Sequence, residues 1–86
     1  MASTIRTYLF PDTSKYIISN DKKLLKQIEK DTHTYIKYIN IKFDSFFKIE
    51  GKFEDVHQAR IIMQDIERNI YREIHLKATF EKPADN

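Results

Sequence analysis

The stretch Tyr16–Thr32 leaves this chain few folds to choose from. Two apolar residues, Ile17 and Ile18, close a short helical turn. Four polar residues follow: Ser19, Asn20, Asp21 and Lys22. A longer amphipathic helix then opens, with Leu24, Leu25 and Ile28 on one face and Lys22, Lys23, Lys26 and Lys30 elsewhere. A helix, a tight break and a second helix share an apolar stripe that they cannot bury alone. The rest of the chain must supply the layer that covers it.

That layer reads as a sheet. Thr4 to Phe10 is rich in β-prone residues and stops at Pro11-Asp12, so a first strand is expected there. Asp12, Thr13 or Ser14 can cap a short helix over Lys15 to Ile18. The second helix is expected from about Lys22 to Asp31, and Thr32-His33-Thr34 breaks it. Tyr35 to Phe43 is the strongest strand. Its phase is unusual: Ile36 and Tyr38 point one way, while Tyr35, Ile39, Ile41 and Phe43 point the other. Either a bulge near Tyr38-Ile39 switches the phase or both faces are partly covered. Asp44-Ser45 reads as a short turn into a strand over Phe46 to Gly51, a hairpin ended by the chain's one glycine. Glu54-Asp55 opens the last helix, and Val56, Ala59, Ile62, Met63, Ile66 and Ile70 give it a wide stripe. It is expected to end between Ile70 and Ile74. His75 to Phe80 then reads as a short strand or extended tail. Residues 1–3 are expected as a disordered start, 4–74 as one domain and 75–86 as a tail or linker.

The order β-α-α-β-β-α resembles the type I KH domain over roughly Ile5 to Tyr71. Ile17-Ile18 match the apolar pair before the family's loop, and Leu25 and Ile28 match the helix after it. Thr32 and Ile36 fall on the family's Thr and on its next strand. Phe47-Lys48-Ile49-Glu50-Gly51 matches the strand that ends in glycine, and Val56, Ala59, Met63 and Ile66 match the final helix. The resemblance implies an α+β fold, a three-stranded antiparallel sheet with three helices packed on one face. It also implies a loop, Gly-x-x-Gly in the family, that clamps about four nucleotides of single-stranded nucleic acid. Ile70 to Glu81 is similar to the link between domains in tandem KH proteins of the Bicaudal-C-like and vigilin-like kind. A parent acting in mRNA translation, stability or localisation follows, with the cytoplasm expected first and the nucleus second.

The loop departs from the family. Ser19 and Lys22 stand where the two glycines would, and Asp21 lies inside it. Glycine lets phosphate approach the backbone, and the following helix N-terminus favours the anion. A carboxylate at that point repels phosphate and can cap the helix from within. Asn20 or Asp21 can supply the left-handed geometry that glycine would have given. The principal expectation is therefore a degenerate module serving protein interaction or self-association, with weak or no RNA binding. Its interface candidates are Ile39, Ile41, Phe43 and Phe46, apolar residues left over from one face of a small sheet, and Ile61 and Tyr71, which lie off the main stripe of the last helix. The alternative is a working single-stranded RNA site on Ile18, Ser19, Asn20, Asp21, Lys22, Lys23, Lys26, Ile36 and Tyr38, with the lysines holding phosphate.

Composition narrows the rest. With 86 residues the chain fits one small domain. It has no cysteine, so disulfide, thiol and Cys-based zinc chemistry are out of reach. One glycine argues against a glycine-rich nucleotide loop. A net charge of +2 is a slight basic lean, not the excess of a protein living on phosphate contacts. His33, His57 and His75 lack metal-ligand spacing, and no Ser-His-Asp set, P-loop or paired-carboxylate site is present. No enzyme activity, cofactor, metal, small-molecule substrate or membrane partner is expected.

Overall fold

Pro11, with its fixed φ, opens the first helix, and Gly51 leaves room for Thr34 and the His33 carbonyl beside it. The computed structural model describes residues 2–81, with residues 74–81 described by their backbone alone. In chain order the elements are β1 (Ala2–Thr7), α1 (Pro11–Thr32), β2 (Tyr35–Ile41), β3 (Asp44–Lys52) and α2 (Phe53–Glu81). The sheet is antiparallel in the order β1-β3-β2. The described chain thus holds two helices rather than the expected three. The expected break is present, but as four non-helical residues, Ser19 to Lys22, inside α1.

Alternation sorts the sheet. Ile5, Thr7, Ile36, Tyr38, Phe47 and Ile49 share the face toward the helices, where register pairs Ile5 and Ile36 with Ile49, and Thr7 and Tyr38 with Phe47. The core behind that face joins Phe47, Ile49 and Ile36 to Ile17, Leu25 and Ile28 of α1 and to Val56, Ala59 and Met63 of α2. The apolar stripes of both helices therefore meet the sheet and each other.

The register of β2 on β3 runs unbroken from Tyr35↔Glu50 to Ile41↔Asp44, so there is no bulge near Tyr38-Ile39. The second expectation, a partly covered outer face, is what the chain adopts. Phe46, expected as an exposed interface residue, is only 6% exposed. The Tyr8 ring packs against it at 5.4 Å and the Arg6 guanidinium lies 4.7 Å above it. Lys42-Phe43, not Asp44-Ser45, makes the hairpin turn. Asp44 and Ser45 are already paired, and Ser45 Oγ donates to Asn40 Oδ1 at 2.6 Å.

Four further boundaries move. β1 starts at Ala2 rather than Thr4 because β3 runs on to Lys52 and offers it a partner. Gly51 lies within β3 instead of ending it; a Cβ there would meet Thr34 Cγ2 at 3.2 Å. None of Asp12, Thr13 and Ser14 caps α1. Phe10 is the N-cap residue without a capping side chain, and its N–H donates to Glu67 Oε2 of α2 at 2.6 Å. Finally α2 continues through His75–Phe80, where a strand or extended tail was expected. Nothing between Gly51 and Pro83 breaks a helix, and Leu76, Lys77 and Ala78 favour one. The start at Met1 and the last tail residues, 82–86, lie outside the described residues.

The end of α1 fixes how β2 enters. His33 takes the left-handed conformation (φ 57°, ψ 42°), a role glycine usually fills, and the Thr34 N–H returns to the Glu29 carbonyl at 3.1 Å. Thr32 is buried, and its hydroxyl bonds the Ile28 carbonyl at 2.6 Å and the Thr34 hydroxyl at 2.7 Å. This turn brings β2 back alongside α1 and leaves a cleft between them.

Candidate nucleic-acid interface

The break in α1 is a left-handed turn made without glycine. Ser19 is extended (φ −70°, ψ 169°), and Asn20, Asp21 and Lys22 follow at φ 54°, 58° and 61°. Asn and Asp tolerate this region through their short polar side chains; Lys does not. Ser19 Oγ donates to the Tyr16 carbonyl at 2.7 Å and closes the first half of the helix. Asp21 is exposed, and among the described residues its carboxylate takes no amide hydrogen bond, so the expected internal cap is not formed. Strain of this kind is held where the surroundings demand it, often at ligand-gripping loops. Lys22→Gly is expected to raise stability by about 0.5–1 kcal/mol, the relief of the left-handed backbone exceeding glycine's extra unfolded-state entropy. A urea midpoint that stays put or falls would mean that position 22 is not held left-handed.

Beyond the turn lies the cleft, about 440 Å³ between the second half of α1 and β2. Lys22 and Lys26 line it from the helix and Lys37 from the strand. Buried Leu25 and Ile36 form its floor, with half-buried Tyr38, whose ring leans on Phe47 at 4.8 Å. Tyr35 stands exposed at the mouth. β2 is an edge strand, and an edge presents unpaired backbone groups. Glu29 takes one of them: its Oε2 accepts the Ile36 N–H at 2.6 Å. Three lysines against the one carboxylate of Glu29 leave the cleft a net positive rim over an apolar floor. Such a site suits an anionic backbone carrying flat apolar rings.

The structure divides the RNA candidates read from the sequence. Lys22, Lys26, Ile36 and Tyr38 meet in the cleft. Ser19, Asn20 and Lys23 line a separate hollow of about 280 Å³ with Tyr16, Leu24 and Gln27. Ile18 packs against the core, and Asp21 stays out on the turn. Glu29, Lys37, Tyr35 and Ile39 line the cleft without having been marked as part of an RNA site. Lys37 and Tyr35 could have been found from their alternation with Ile36; Glu29 could not, because its role depends on β2 being an edge.

The interface candidates do not form one patch. Ile39 is half-buried and borders the cleft. Ile41 and Phe43 sit at the hairpin end, Phe43 being 91% exposed. Ile61 and Tyr71 are exposed on α2, and Tyr71 meets Phe10 edge to face at 5.2 Å. Among the described residues no three His, Cys, Asp or Glu side chains come together as a metal site, and no helix is long and apolar enough to cross a membrane. His57 packs its ring on Phe53 at 4.5 Å.

No family model and no curated protein matches the sequence. Solved structures do match. The first KH type I domain of human Vigilin superposes with a TM-score of 0.73 at 18% identity, covering 84% of this chain and 78% of that one. The twelfth KH type I domain of human Vigilin gives 0.79 at 13% identity, covering 99% and 83%. The fold is that of a type I KH domain. The turn inside α1 is built from residues with side chains, three of them at positive φ: Asn20, Asp21 and Lys22.

Proposed function

We propose that this KH domain is an RNA-associated module that takes single-stranded RNA weakly, held by lysine side chains instead of loop amides. The observation that carries the reading is the cleft: Lys22, Lys26 and Lys37 around a floor of Leu25, Ile36 and Tyr38. Bases lie on the floor while phosphates meet the ammonium groups. The Cβ atoms of Ser19 and Lys22 and the charge of Asp21 keep phosphate off the backbone, so affinity is low. A dissociation constant on the order of tens of micromolar at low salt is expected for such contacts. Both matched structures are single KH units of one protein, which supports a place for this module in a tandem array; an RNA-regulating parent of the cytoplasm is part of the same proposal.

Titrating the isotope-labelled chain with a pool of short random single-stranded RNA tests this. Backbone amide shifts are expected at Lys22 to Lys26 and Ile36 to Tyr38. Silence there at millimolar RNA would overturn the reading. A protein-docking role would then lead, and one feature favours it independently: the apolar hairpin end, with Ile41 55% and Phe43 91% exposed.

A further inference from the structure

The outer face of the sheet carries a feature that the cleft does not use. Strand pairing sets Arg6 opposite Lys48 and Lys48 opposite Lys37. One transverse row across all three strands is therefore entirely cationic, and at strand spacings near 4.8 Å it runs roughly 10 Å. Like charges directly opposite one another destabilise a sheet. Glu50 relieves Lys48 in part, at 3.2 Å; among the described residues this is the one ion pair of that face. Arg6 is fixed in place, its guanidinium over the Phe46 ring at 4.7 Å. Exposed tyrosines flank the row: Tyr8, packed on Phe46, and Tyr35, paired with Glu50 two register positions along on the same face. Lys37 belongs both to the row and to the rim of the cleft.

A line of cations between exposed aromatic rings is the equipment of a sequence-tolerant single-strand site. We propose that single-stranded RNA leaving the cleft crosses the edge strand β2 and continues over the outer face along Lys37, Lys48 and Arg6, stacking bases on Tyr35 and Tyr8. The proposal rests on the RNA reading of the cleft for its point of entry.

Fluorescence anisotropy with two oligouridylates tests it, one of about four nucleotides, which fills a KH groove, and one of about twelve. Arg6→Gln/Lys48→Gln changes only residues outside the cleft. The short oligomer is expected to bind this variant as it binds the parent, which also shows that the fold is intact. The long one is expected to bind about tenfold more weakly, with a salt slope lower by about 1.4, since each phosphate contact on a single strand contributes about 0.7. Tyr8→Leu is expected to weaken the long oligomer with its salt slope unchanged. Equal response of both lengths, or no response of either, overturns the proposal. So does equal displacement of the long RNA by polyglutamate of matched charge, which would make the face a general polyanion site. A long oligomer that depends on the row while the short one fails to bind keeps the outer-face site and overturns the cleft.

Discussion

Phe47→Ala is expected to cost about 4 kcal/mol, near the middle of the range for truncating a buried phenylalanine. A domain of this length holds roughly 5–10 kcal/mol in all. The variant should therefore keep only about 1–6 kcal/mol, with Tm lowered by about 20 °C. The cost is high because Phe47 lies on the central strand, is fully buried, and joins both helices to the sheet. No neighbour can collapse into the space without drawing the helices inward. Urea unfolding followed by far-ultraviolet circular dichroism gives the number. A loss below about 1 kcal/mol would place the true core elsewhere.

The same residue ties stability to the cleft. Tyr38 leans on the Phe47 ring, and Tyr38 is part of the cleft floor. Phe47→Leu, which keeps most of the buried volume, is the informative companion. It should remain folded while the Tyr38 ring loses its support. Loss of RNA affinity in a folded Phe47→Leu chain would then report the floor, not unfolding.

Local patterns carried much of this fold. The paired strands and the stripes of both helices follow from periodicity alone. So does the break at Ser19–Lys22, because four consecutive polar residues interrupt the apolar stripe. What stayed hidden depends on partners distant in sequence. Phe46 looks exposed until Arg6 and Tyr8, some forty residues away, come to lie over its outer face. Ala2 and Ser3 look like a loose end until Lys52 and Gly51 offer them a ladder. Glu29 looks like a solvated helix residue until β2 proves to be an edge with an N–H to satisfy. The site shows the same split. Lys22, Lys26, Ile36 and Tyr38 were legible as a group; Lys37 gained its meaning only from register, which puts it in line with Lys48 and Arg6. The helix through residues 75–81 was missed for a different reason. Its short apolar–polar alternation imitates a strand, yet continuation of a helix already formed needs no new nucleus.

Reversing Lys22 and Lys26 together should weaken single-stranded RNA binding at least thirtyfold, roughly 1 kcal/mol for each lysine. With Lys37 and Glu29 unchanged, the charge around the cleft passes from net positive to net negative. The salt slope should fall by about 1.4, as two phosphate contacts are lost. Unfolding is not the expected cause. A carboxylate at 26 enters the first turn of the resumed helix and one at 22 stands just before it, where the helix dipole favours both. The control is Lys23→Glu/Lys30→Glu, which makes the same change in net charge. Lys23 lines the other hollow, and Lys30 is exposed outside the cleft. If the control weakens binding as much as the cleft pair, attraction comes from the whole helix and the cleft has no special part. If only the cleft pair weakens it, RNA is gripped between α1 and β2. The strained lysine at position 22 then has a physical reason to stand where glycine would fold more easily. It supplies to phosphate the charge that a side-chain-free loop would replace with backbone amides, and the stability recovered by Lys22→Gly would come with a measurable change in affinity.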